Sequence, residues 1–207
     1  MSLNYLTYSS FIDVEKLFKT ASDLVRINSI NPPGLEEETG KYLVEFFREA
    51  SIETKVFPVE DGRFNVIARI PGKGSSLPLA FTGHMDVVPV SSKELKRWNT
   101  SPFSGEIHDG FLYGRGSSDM KGGLASIMAA MSQIAEKGII PAGDIYLIAT
   151  VDEEDGMKGS KALLNESFLD TIPLLIVCEP TDLKICTAGK GRTYGSIKIT
   201  GKTGHGS

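Results

Sequence analysis

The residues best equipped for chemistry in this 207-residue chain are one histidine and a set of carboxylates, most of them standing where an apolar run stops. Leu77–Phe81 leads into Thr82-Gly83-His84-Met85-Asp86. Asp144–Val151 leads into Asp152-Glu153-Glu154, and Pro173–Cys178 leads into Glu179. Carboxylates gathered without a cation repel one another and lose hydration at a cost. An imidazole and several carboxylates in one place therefore mean either a metal site or an electrostatic problem. Continuous runs rich in Ile, Leu and Val predict strands buried on both faces of a parallel sheet. The carboxyl ends of such strands line the ligand crevice, which would bring these groups to one sheet edge.

Alternate side chains of a strand share a face, so His84 and Asp86 point the same way if the strand runs through Asp86. A metal-bound histidine usually gives its other ring N–H to a carboxylate, and Asp86 is placed for that role. Taken alone, His-x-Asp reads better as a surface loop pair. The segment Gly114-Arg115-Gly116-Ser117-Ser118-Asp119-Met120-Lys121-Gly122-Gly123 is more specific. Its glycines allow backbone shapes that other residues resist. Asp119 sits where loop enters helix, a position that equally suits an N-cap. The constrained loop and the other available ligands favour metal. Asp152-Glu153-Glu154 is either a solvated acidic turn or a functional strand end. Neighbouring side chains leave a strand end in different directions, so one can hold metal while the next faces substrate. That division suits metal-activated water beside a separate general base. Glu179, between Cys178 and Pro180, is hard to explain in a core without a cation.

Positioning these groups requires alternating strands and helices. Phe11, Val14, Leu17, Phe18, Ala21, Leu24 and Val25 recur at helical spacing after Ser9-Ser10 as caps, and Asn31-Pro32-Pro33-Gly34 stops that helix. A second helix is predicted from Glu36 to Ala50. Strands follow at Ile52–Val59 and Asn65–Ile70 around an Asp61-Gly62 turn. Another strand ends at His84, and a hairpin spans Glu106–Tyr113 around Asp109-Gly110. A helix from Met120 to Lys137 buries Leu124, Ile127, Met128, Met131 and Ile134. Then come a strand to Val151, a short helix near Ser160–Asn165, a strand to Cys178, and further strands at Leu183–Thr187 and Tyr194–Thr200. This alternation is that of an α/β fold with a mixed, mostly parallel sheet. The last strand opens a second domain.

Hydrophobic residues make up 41% and charged residues 23%, an ordinary soluble globular balance. A net charge of −4 without a basic stripe argues against nucleic acid. Cys178 and Cys186 lack CxxC spacing, so a disulfide framework or thiolate zinc site is not expected, and Cys178 should lie buried in its strand. No segment has the ~18 apolar residues of a membrane span. The N-terminus lacks signal-peptide features, and the cytoplasm is the expected location. Gly201-Lys202-Thr203 fails as a phosphate loop because residue 196 is Ser196. Gly114-x-Gly116 fails as a dinucleotide fingerprint because Asp119 replaces its third glycine. His108 reads as a polar hairpin residue.

His84-Met85-Asp86, the Gly114–Gly123 segment, Asp152-Glu153-Glu154 and Glu179-Pro180-Thr181 together resemble the co-catalytic zinc amidohydrolases and peptidases. That group includes acetylornithine deacetylase, succinyl-diaminopimelate desuccinylase, aminoacylase and the glutamate carboxypeptidases. The motifs fall in family order across nearly the whole chain. The resemblance implies a three-layer catalytic domain over residues 1–187 and the start of an inserted lid or dimerisation domain over 188–207. It implies two zinc ions, with Co²⁺ or Mn²⁺ as substitutes. His84 and Glu179 would hold one, Asp119 would bridge, and Glu154 would hold the other. Glu153 would be general base then acid, Asp86 would orient His84, and Asp119–Met120 would be a cis peptide. His205 would reach a neighbouring subunit's site, in a homodimer of the full-length protein. The implied activity is hydrolysis of the amide bond of N-acyl amino acids or small peptides, with no nucleic-acid or membrane partner. The histidine that completes the second zinc site is absent from the matching contexts, so these 207 residues alone are expected to be weakly active or inactive. The contrasting reading is a metal-free α/β association module, pairing through an edge strand near Tyr194.

Overall fold

The computed structural model describes residues 11–191, 195, 197, 198, 200 and 201. The first helix, α1 (Val14–Arg26), starts at Asp13, whose carboxylate accepts the Lys16 N–H at 2.9 Å. The expected caps Ser9 and Ser10 lie outside the described residues. Asp13 supersedes them because a carboxylate at that point satisfies a free helix amide directly. α1 buries Ala21, Leu24 and Val25 and leaves Phe11, Val14 and Phe18 exposed. Helix α2 (Glu37–Glu49) buries Leu43 and Phe47.

Strands β1 (Glu53–Glu60) and β2 (Arg63–Ile70) pair antiparallel across Asp61-Gly62, where Gly62 takes φ +68°. After β3 (Leu79–His84) come the short helix α3 (Ser92–Leu95) and a small hairpin, β4 (Glu106–His108) with β5 (Phe111–Tyr113). Helix α4 (Gly122–Glu136), β6 (Ile145–Thr150), helix α5 (Lys158–Leu163), a 3₁₀ turn at Ser167–Thr171 and β7 (Leu174–Val177) complete the order. The five-stranded sheet runs β1-β2-β6-β3-β7. β2 joins β6 antiparallel, whereas β6–β3 and β3–β7 are parallel.

Helices flank this mixed sheet. On one face Leu24, Leu43, Phe47, Leu124 and Met128 pack on Val66, Ala68, Leu147 and Ala149. On the other, Leu163, Phe168 and Leu169 pack on Ile67, Ala80 and Ile148. Burying each large side chain contributes roughly 1.5–3 kcal/mol. β6 lies inside the sheet, and its continuous apolar sequence follows from cover on both faces.

The third apolar run departs from expectation. Among the described residues β7 pairs only with β3, and all four of its residues, Leu174 to Val177, are exposed. As the edge strand it has neither a second neighbour nor a described covering layer. Cys178, expected buried, lies just past its end and is partly exposed. Leu183–Thr187 is not a strand: Leu183 and Ile185 are fully exposed, with no described strand beside them to complete a ladder. The Tyr194–Thr200 strand, with its proposed edge contact near Tyr194, falls partly outside the described residues, as does most of 188–207. Among the described residues no helix is long and apolar enough to cross a membrane.

Candidate metal centre

Sheet register gathers the chemistry. His84 stands opposite Thr150, so parallel pairing of β3 with β6 brings His84 level with the acidic turn that follows β6. On the other flank the Cys178 N–H donates to the Thr82 carbonyl at 3.0 Å, extending the ladder to the residue before Glu179. Gly83 permits close approach: a Cβ there would lie 2.5 Å from Met120 Cε. Met120 can therefore pack against β3 beside the histidine.

The glycine-rich segment delivers Asp119. Gly116 adopts φ +81°, a left-handed turn that glycine takes without steric cost. Asp119 is extended (φ −121°, ψ 97°), and the Asp119–Met120 peptide is cis, as the resemblance implied. The N-cap of α4 is Lys121, so Asp119 does not cap that helix. Lys121 is buried, and its Nζ donates to the carbonyls of Leu24 (2.9 Å) and Ile27 (2.6 Å), tying this segment to the end of α1. Burial pushes its ammonium down to about 7, against the pull of Asp86.

One donor atom each from His84, Asp119 and Glu154 lie within 4.8 Å of one another. His84 Nε2 is 3.1 Å from Asp119 Oδ1 and 3.8 Å from Glu179 Oε1. Asp119 and Glu179 thus approach the same imidazole nitrogen, and Glu154 completes a group with His84 and Asp119. Burial opposes charge on His84, but hydrogen bonding and attraction to Asp86, then Glu179 and Asp119, hold its pKa up at about 10. Burial raises Glu179 to about 7; attraction to His84 works the other way, and repulsion from Asp119 and Glu153 adds to the rise. Glu154 is also raised, by burial and then by Asp119.

Asp86 meets His84 through its backbone as well as its side chain. β3 ends at His84, and the His84 Nδ1 contact at 2.8 Å is with the Asp86 main-chain carbonyl; the Asp86 carboxylate is 3.5 Å away. That carboxylate also accepts the N–H groups of Glu153 (3.1 Å) and Glu154 (3.0 Å) and the Asn31 amide (2.8 Å). Burial disfavours its charge, yet the partners His84, Asn31 and Glu154 bring its pKa down to about 2. The turn is not a solvated acidic run either: Asp152 is buried, at φ +68°.

Sequence reasoning missed Asn31, Glu36, Arg63 and Lys121. Asn31 had a signal in Asn-Pro-Pro-Gly, read there only as a helix stop. Arg63 opens a strand after a turn, where a cation ordinarily faces water. His205 lies outside the described residues. His108 pairs with Glu106 at 2.7 Å on the β4–β5 hairpin and takes no part in the cluster.

The donor set fits a borderline metal ion: one imidazole nitrogen and several carboxylate oxygens, two of whose carboxyls are pushed towards neutrality by burial first and then by like-charge crowding. A divalent cation removes the cause of that crowding.

Residues 80–200 match the family described as peptidase family M20/M25/M40. A probable succinyl-diaminopimelate desuccinylase of Staphylococcus aureus is 35% identical over 199 residues, covering 96% of this chain and 48% of that protein. The chain spans about half the length of the curated relatives it matches. Among solved structures, aminopeptidase PepT of Bacillus cereus aligns with a TM-score of 0.63 at 28% identity, over 81% of this chain and 43% of its own. A metallo-carboxypeptidase of Sulfolobus solfataricus aligns with a TM-score of 0.68 at 23% identity, over 78% and 37%, a likeness of fold.

Proposed function

The chain belongs to peptidase family M20/M25/M40, and from that premise we propose that it carries most of a metal-dependent site for hydrolysing the amide bond of an N-acyl amino acid or small peptide. One observation carries the reading: the convergence of His84, Asp119 and Glu154, with Glu179 at 3.8 Å from the same imidazole nitrogen. The names of the desuccinylase and aminopeptidase relatives support a substrate with an amide bond beside a carboxylate or amine.

His84 and Glu179 would hold one zinc, Asp119 would bridge, and Glu154 would hold the second. Bound zinc supplies Lewis acidity, polarising a carbonyl and lowering the pKa of water. His84 presents Nε2 to the site because Nδ1 is engaged by the Asp86 carbonyl. To ligate, the imidazole gives up the proton that the acidic cluster retains on it in the metal-free chain. Glu153 takes a proton from water and hands it to the departing amine. His205 would serve a neighbouring subunit, in a cytoplasmic homodimer. The second zinc needs another imidazole, and among the described residues the remaining histidine, His108, is committed to Glu106. The 207 residues by themselves would therefore turn over substrate weakly or not at all.

Glu153→Gln tests the division of roles. Zinc content by mass spectrometry should stay near that of the unsubstituted protein. Cleavage of an N-succinyl amino acid or a dipeptide, in any form active enough to measure, should fall by about 10²–10⁴-fold. Loss of zinc from this variant would make Glu153 a ligand, and rapid turnover by the 207-residue chain would overturn the proposed incompleteness.

A further inference from the structure

Outside the donor cluster, the most developed polar structure is a buried network behind the acidic turn. Arg63 is 7% exposed, and its guanidinium is shared among three carboxylates, the partly exposed Glu60 at 3.2 Å and two buried ones. Nε donates to Glu36 Oε2 at 2.9 Å and Nη2 to Glu36 Oε1, while Nη2 also reaches Asp152 Oδ1 at 2.9 Å. The same Asp152 oxygen accepts the Asn31 amide at 3.0 Å, and that amide also donates to Asp86. The other Asp152 oxygen accepts the N–H groups of Gly156 (3.1 Å) and Lys158 (3.2 Å), and the Asp152 N–H donates to Glu36. Asp86 then holds the amides of Glu153 and Glu154.

We propose that Arg63 is a positioning residue for Glu153 and Glu154. By clamping Glu36 to Asp152 it fixes the left-handed Asp152 from which those two carboxylates project. The proposal rests on the metal-site reading for its functional meaning, and on the hydrogen-bond geometry for its structural content. Arg63 touches no donor atom of the cluster, so its effect must pass through Asp152. A planar guanidinium can serve two carboxylates at once, whereas an ammonium on a single stem cannot reproduce that fork. Asn31 completes the clamp by joining Asp152 to Asp86, coupling the turn to the residue that contacts His84.

The test uses the whole chain in two assays, amide hydrogen exchange without metal and Co²⁺ titration followed by visible absorption. Arg63→Met removes the fork, and Arg63→Lys keeps the charge should the first variant fail to fold. Glu45→Gln is the control, since Glu45 pairs with Arg48 on the exposed side of α2, away from Arg63 and the turn. Exchange at Glu153, Glu154, Gly156 and Lys158 should quicken by at least about tenfold in Arg63→Lys, with the β2 and β6 ladders unchanged. Co²⁺ affinity should fall by about 10- to 100-fold, with an altered spectrum at saturation. The control should match the unsubstituted chain in both assays. Acceleration spread evenly over the sheet would make Arg63 merely structural and overturn the proposal. So would a folded Arg63→Lys chain with full protection of the turn. If the unsubstituted chain takes up no Co²⁺, the metal reading fails, and the exchange pattern alone decides the positioning role.

Discussion

On the β6 side of His84, each buried carboxylate has a donor aimed at it. Asp86 accepts two backbone amides and Asn31, and Asp152 accepts Arg63, Asn31 and two backbone amides. On the β7 side, Glu179 follows an exposed edge strand; its side chain is 35% exposed, and its carboxyl is raised rather than lowered. Both flanks carry acidic residues proposed to serve one centre. The fold stabilises the charge of Asp86 and Asp152, and it leaves that of Glu154 and Glu179 for a cation to neutralise.

Paired substitutions break the comparison most sharply. Asp86→Ala leaves three buried donors without an acceptor and should cost the metal-free chain about 3–5 kcal/mol. Glu179→Gln removes a buried, crowded charge and should leave the metal-free chain at pH 7 as stable or more stable. Urea unfolding of both variants checks this; equal losses would erase the distinction between flanks. A second pair probes the strands themselves. Leu147→Ala in β6 should cost about 2–5 kcal/mol through transfer and cavity terms. Leu175→Ala in β7, already exposed, should cost under ~1 kcal/mol.

Much of this contrast could be read from the apolar runs, and part could not. The runs located β3, β6 and β7 to within a few residues because continuous Ile, Leu and Val suit a buried strand. They did not reveal that β7 is an edge strand, since an exposed apolar strand and a buried one have the same composition. His84, Asp119, Glu154 and Glu179 were legible as candidates because each follows a recognisable boundary. Arg63 was not, because its partners Glu36 and Asp152 lie 27 and 89 residues away and no local pattern announces them. Lys121 was not legible either, because its two carbonyl partners come from the end of α1, 97 and 94 residues away.

A smaller effect separates the flanks by pH. Asp86 is held near 2 and Asp152 below its usual range, so their stabilisation is complete above about pH 4 and declines as pH falls towards 2. Glu179 titrates near 7 in the folded chain, above its ordinary 4.5, so its contribution has the opposite sign. That stability is present below about pH 4.5 and is lost as pH rises through 7. His84, held near 10, acts in the same direction at higher pH. Metal-free chain should therefore be most stable near pH 4–5, and zinc should move the optimum towards neutrality. Melting temperatures from pH 3 to 9, with chelator and with zinc, would show it. A metal-free optimum at neutral pH would contradict the assignment of opposite signs.

The most direct measurement is anomalous diffraction at the zinc edge from crystals of this chain grown with zinc. A peak is expected about 2.0–2.2 Å from His84 Nε2 and from carboxylate oxygens among Asp119, Glu154 and Glu179, vanishing in His84→Ala. A peak bound elsewhere, or none at saturating zinc, would contradict a metal centre at the ends of β3, β6 and β7.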